Sequence, residues 1–214
     1  MRKLLTIVLI AGSAQLAWAG GMEDLASFVK SVKSGRADFT QVVTSPPRPS
    51  EAARSKTSSG TFEFLRPNRF RFLYKKPFEQ SIVADGQTLW LYDVDLNQIT
   101  ARKQSQVLGS TPAALIAAAP DLRALQADFN LADAPDKDGL QWVVATPKAK
   151  DGPLQSVRVG FRPADKASEL AVLEILDSFG QRSVLTFSQF DANVALPADA
   201  FVFKPPAGAD IVRQ

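Results

Sequence analysis

Short runs of alternating apolar and polar residues, each closed by turn residues, fill most of this 214-residue chain. That rhythm points to antiparallel sheet, in which each strand buries one of its two faces. Residues 37–44 alternate around Phe39, Gln41 and Val43. Residues 60–65 put Phe62 and Phe64 on one face; Arg66-Pro67-Asn68-Arg69 reads as a tight turn, after which Phe70, Phe72 and Tyr74 alternate with Arg71 and Leu73. Residues 81–84, the Asp85-Gly86 turn and residues 88–92 carry a hairpin signature, and a turn over 93–97 leads into 98–102. Further strands are predicted over 128–131, 140–146, 154–161, 171–178, 183–190 and 201–203. The stretch 45–59 is polar and rich in Pro and Ser, and reads as a mobile hairpin loop.

Two places break the rhythm. Met22, Leu25, Phe28, Val29 and Val32 recur at helical spacing, with Glu23 and Asp24 early, Lys30 and Lys33 late and Gly35 as a stop. Charges so placed complement the helix dipole, and a helix over about 22–34 is predicted. In the middle, Ser110 or Thr111 can cap a segment with Pro112 in its first turn and Pro120 as its end, followed by a short helical piece over 121–126. With no internal repeat and no linker, the expectation is one mainly β domain over 20–214, an antiparallel barrel or strongly curved sheet with a small helical insertion.

Residues 1–19 read as a cleaved signal peptide: Arg2 and Lys3, the apolar run Leu4 to Ala11, then Ala17-Trp18-Ala19 before Gly20. The run is too short to span a bilayer, which takes roughly 20 apolar residues. Removing Arg2 and Lys3 leaves 23 basic against 22 acidic residues. Without clustered basic residues, nucleic acid is not an expected partner.

Cysteine and histidine are both absent. An exported chain of this kind has no disulfide staples, and no cysteine to acylate, so it is not expected to be lipid-anchored itself. A Ser-His-Asp triad, a Cys-His pair and His or Cys metal ligands are excluded. Ser27-Phe28-Val29-Lys30 matches a Ser-x-x-Lys pattern, but the companion motifs of such enzymes are missing. Residues 93–97 (DVDLN) resemble the start of a calcium loop, yet Gln98 stands where Gly is needed and Gln104 where Glu is needed. No catalytic residue, metal or cofactor is expected.

All 14 Phe lie beyond the signal, most at alternating positions. They either fill an ordinary barrel core or line an apolar cavity under a helical cover; alternation alone favours the former.

One block of residues bears on that choice. Residues 60–72 (GTFEFLRPNRFRF) lead into 82–92 (IVADGQTLWLY), with 37–41 (ADFTQ) upstream, Thr111-Pro112 downstream, and 201–208 (FVFKPPAG) and 210–212 (DIV) at the C-terminus. Together they resemble the outer-membrane lipoprotein carrier family, LolA, over nearly the whole chain beyond the signal. The resemblance implies an unclosed antiparallel β-barrel of about eleven strands with an N-terminal helix and a short helical lid.

It also implies a periplasmic, non-enzymatic carrier, expected to be a monomer. Such a carrier takes acylated lipoproteins from an inner-membrane ABC transporter and delivers them to an outer-membrane receptor. Arg66 then corresponds to the arginine that latches the lid, and Phe70 to the aromatic residue that contacts the transporter. Phe62, Phe64, Phe72, Tyr74 and Trp90 fall in the apolar cavity, with Leu115 and Ile116 in the lid. The alternative is a carrier of free lipids or another amphiphile in the same cavity.

Overall fold

The computed structural model describes residues 20–47, 52–107, 119–164 and 168–214; the expected signal segment and the lid positions Leu115 and Ile116 lie outside the described residues. Strands β1 (Ser34–Ser45), β2 (Arg54–Leu65), β3 (Arg69–Lys76), β4 (Gln80–Asp85), β5 (Thr88–Asp93) and β6 (Gln98–Lys103) succeed one another as an antiparallel meander. Helices α2 (Gln104–Val107) and α3 (Leu122–Asp128) lie between β6 and a second meander. That meander comprises β7 (Phe129–Lys137), β8 (Leu140–Pro147), β9 (Leu154–Arg162), β10 (Glu169–Asp177) and β11 (Arg182–Ala192). β11 returns to pair with β1, and β12 (Asp210–Arg213) adds to β6 in parallel. The order is β12-β6-β5-β4-β3-β2-β1-β11-β10-β9-β8-β7, a twelve-stranded sheet whose end strands do not pair with each other. An unclosed barrel is therefore present. A sheet of this many strands curls because each strand is rotated against its neighbour.

Helix α1 (Gly21–Ser31) lies against β7, β8 and β9. Leu25, Phe28 and Val29 form its buried face. Its first turn sits so close to β8 that a Cβ on Gly21 would come 2.4 Å from the Trp142 carbonyl oxygen, so only glycine fits. The helix ends at Ser31, earlier than its apolar spacing predicts, because Val32 is already extended. Gly35 is not the helix stop. It lies within β1 opposite Phe64, and a Cβ there would stand 2.5 Å from the Phe64 ring.

Two further expectations need correction, and two elements were not foreseen. Arg54 to Ser59 belongs to β2 and pairs with β1, instead of forming part of a loop. Its side chains are largely exposed, so no apolar period marks it. Residues 201–203 are not a strand: Phe201 is buried from the C-terminal tail, and Phe203 stacks on Trp90. β12 and α2 carry too few buried residues to show a period, and neither was predicted.

The core is aromatic and sits towards one end of the sheet. Phe62 stacks on Phe72 with centroids 4.4 Å apart, and Phe28 meets Phe161 at 5.5 Å. Each buried phenyl side chain contributes about 1.5–3 kcal/mol by leaving water. Burial fades along β1: Ser34 and Gly35 are buried, whereas both faces are only half-buried from Gln41 to Ser45. One end of the barrel is packed; the other opens.

Candidate functional site

Where the packing loosens, an apolar cavity of about 230 Å³ lies inside the curl. Cross-strand register builds one wall: Phe72 of β3 faces Ile82 of β4, which faces Leu91 of β5. Leu173 of β10 and Leu185 of β11 are likewise partners and line the cavity with Ile175. Because alternate side chains of a strand share a face, Phe70, Phe72 and Tyr74 enter the same space, as do Leu89 and Leu91.

The sequence-predicted residues divide. Phe72 and Tyr74 line the cavity, whereas Phe62 and Phe64 are fully buried in the packed core. Trp90 is not in the lining. It alternates with Leu89 and Leu91, stacks on Phe203 with centroids 5.2 Å apart, and donates its indole N–H to Asp85 Oδ2 at 2.9 Å. Phe70 lines the cavity and is only 2% exposed. Ile82, Leu89 and Leu91 went unrecognised as lining, although the hairpin register and the period-two rule could have found them: they share a face that Trp90 does not.

Arg66 follows β2 and is buried. Its Nε donates to the Val32 carbonyl and its Nη1 to the Ala119 carbonyl, both at 2.9 Å. The guanidinium lies over the rings of Phe28 and Phe64, 5.5 and 5.3 Å from their centroids. Burial pushes its pKa down to about 10, so it remains charged at neutral pH. Its Nη2 has no hydrogen-bond partner among the described residues. Arg66 thus ties the end of α1 to the chain just after the segment expected to carry the lid.

One polar chain reaches the cavity. Tyr74 donates its hydroxyl to Gln41 Oε1 at 2.9 Å, and Gln41 Nε2 donates to Ser183 Oγ at 2.6 Å. Burial pushes the Tyr74 hydroxyl up to about 12, so it stays protonated. On the other face, Glu63 accepts from Arg36 Nε at 2.7 Å and from Arg71, in a three-strand ladder. Burial opposes its ionisation, but the two arginine hydrogen bonds outweigh that and hold its carboxyl below the ordinary value.

A family profile described as "Outer membrane lipoprotein carrier protein LolA" matches residues 30–204. An outer-membrane lipoprotein carrier protein of Albidiferax ferrireducens is 74% identical over 99% of this chain and 100% of its own length. One from Methylibium petroleiphilum is 54% identical, over 99% and 97%. Among solved structures, a LolA superfamily protein of Nitrosomonas europaea superposes with a TM-score of 0.52 at 14% identity, covering 86% of this chain and 98% of that one. That last likeness concerns the fold.

Proposed function

Because the chain belongs to the outer-membrane lipoprotein carrier family, LolA, we propose that it shields lipoprotein acyl chains in the β-barrel cavity while they cross the periplasm. It is a carrier, not an enzyme. The observation that supports this reading most directly is an apolar cavity whose neighbouring chain is held by one buried arginine. Its physical logic is simple. An acyl chain of about fifteen methylenes costs ~12 kcal/mol to bring into water, at ~0.8 kcal/mol per methylene. A soluble route therefore needs a substitute apolar surface and no bond-making.

At about 230 Å³ the cavity is smaller than the roughly 300–1,000 Å³ of sites that enclose small organic ligands, so loading must widen it. Widening means parting the wall of β3 to β5 from that of β10 and β11. In this proposal Arg66 biases the narrow state, and the lid containing Leu115 and Ile116 moves as the chains enter. An empty, wide cavity would leave a large apolar patch in water, which favours self-association.

The proposed route begins at an inner-membrane ABC transporter and ends at an outer-membrane receptor; Phe70, buried in this state, joins the transporter contact only as the cavity opens. The signal-like first nineteen residues support export to the periplasm, and no helix among the described residues is long and apolar enough to cross a membrane. Depletion in the source cell should leave outer-membrane lipoproteins in the inner membrane. Correct localisation without the protein would overturn the proposal. For Phe70, Phe70→Glu should weaken binding to the transporter's periplasmic domain, and unchanged affinity would remove it from that contact.

A further inference from the structure

The apolar cavity does not end in more hydrocarbon. At its open end Gln41 and Tyr74 also line a second cleft of about 450 Å³ that mixes Pro77 and Phe78 with Lys56, Ser58, Gln80 and Asp93 and is more polar than the first. The Tyr74–Gln41 hydrogen bond thus lies on the boundary between a greasy compartment and a wet one. Ser183 extends that boundary onto β11, where it faces Val43 of β1 and Ile175 of β10.

Two hydrogen-bond donors at this boundary have no partner among the described residues. Gln41 Oε1 accepts from Tyr74, and one of the two Nε2 hydrogens goes to Ser183 Oγ. The second Nε2–H and the Ser183 O–H are left free, and both are donors. Turning the amide over frees the Tyr74 O–H in place of the serine's, and again leaves two donors. Oxygen lone pairs are available there too, but a carbonyl can only accept, and the two free donors give an entering carbonyl its partners.

We propose that Gln41, with Tyr74 and Ser183, forms a threshold that hydrogen-bonds the ester or amide carbonyls of a diacylglyceryl amphiphile, with its acyl chains in the apolar cavity and its polar head in the adjoining cleft. This rests on the carrier reading and deepens it. The threshold fixes how far the cargo enters, because sliding deeper would strip its carbonyls of partners and sliding out would wet the first methylenes. Tyr74 and Ser183 act by holding the Gln41 amide in place; Gln41 touches the cargo in either amide orientation.

The test uses the purified protein and two pairs of probes. A triacylated lipopeptide with ester-linked chains is compared with its ether-linked analogue, and dipalmitoylphosphatidylglycerol with its ether analogue. Affinities are read by competition against a fluorescent fatty-acyl probe. The ester member of a pair should bind several-fold tighter than the ether, as one neutral hydrogen bond from the Gln41 amide allows. Preference within the lipopeptide pair marks lipoprotein as the cargo; preference within the phospholipid pair alone marks free lipid.

Gln41→Leu should abolish the preference, read as the ratio of ester to ether affinity within that variant, so that any general change in cavity affinity cancels. Tyr74→Phe, which keeps the ring, should reduce the preference by a smaller factor. Equal binding of ester and ether by the wild type, or a preference that survives Gln41→Leu, overturns the threshold and leaves the carrier reading standing. Failure of every probe to bind overturns both.

Discussion

Arg66 and Ala119 are 53 positions apart, yet a single 2.9 Å hydrogen bond joins the guanidinium to the alanine carbonyl. The same side chain holds Val32 at the end of α1, so three segments meet on one cation. Two opposing effects act on replacing it. Two backbone carbonyls lose a donor, at about 1–3 kcal/mol for each that stays buried and unpaired. Against this, a desolvated charge with one unpartnered nitrogen is removed, a change that is often neutral or favourable.

Arg66→Leu is therefore expected to fold, with stability within about 2 kcal/mol of wild type. Deuterium uptake should rise in the peptide 119–128, and passage of cargo to the receptor should slow. Arg66→Lys should behave like the leucine variant, since an ammonium lacks the planar fork that reaches two carbonyls at once. Unchanged uptake and wild-type transfer in both variants would dismiss the latch.

Glu63 carries a pH dependence. Its folded pKa lies below its ordinary value, so its ionised form stabilises the native state above about pH 4.5. That contribution is lost as pH falls through the folded value. Glu63→Gln should cost about 1–2 kcal/mol at pH 7, because the carboxylate is buried although Arg36 is partly solvated. The gap to wild type should narrow in acid. Urea melts of both proteins at pH 7 and pH 3 measure it, and a gap independent of pH would contradict the ladder's role.

Register separates Leu91 from Trp90. Leu91→Arg places a charge in the apolar cavity and should abolish binding of a fluorescent acyl probe. Trp90→Phe should leave probe affinity unchanged, because its side chain is on the other face. It should cost about 1 kcal/mol through the lost bond to Asp85. Probe titration alongside thermal melts distinguishes the two effects; weakened binding in Trp90→Phe would return the tryptophan to the lining.

These cases also mark what the sequence alone reveals. Wherever one face of a strand is buried, as at Phe62, Phe72 and Leu89, period two discloses the strand and its inward face. Arg54 to Ser59 escaped notice because both faces meet water, so pairing with β1 leaves no hydrophobic imprint. The family block carried Trp90 into the cavity, but its alternation with Leu89 and Leu91 already argued otherwise. The reach of Arg66 to Ala119 depends on how two distant loops meet, and no local pattern encodes that. Gln41 looked like one more alternating residue until Tyr74 and Ser183 were seen on either side of it.

β12 supplies the last test. Its residues Asp210 to Arg213 are exposed, yet they pair with β6 and cover what would otherwise be a free edge. Gln214 closes the arrangement by donating its backbone N–H to the Ala101 carbonyl at 3.0 Å and accepting from Arg102 Nε at 2.8 Å. Little apolar area is buried there, so removing residues 210–214 should lower the melting temperature by only a few degrees, as for a loss of about 1 kcal/mol in a domain of this size. Solubility should suffer more. The uncovered β6 edge offers unpaired N–H and C=O groups to a second molecule, so light scattering of the truncated protein should rise with concentration while the full chain stays monodisperse. Equal monodispersity of the two would mean that β12 does not protect the edge.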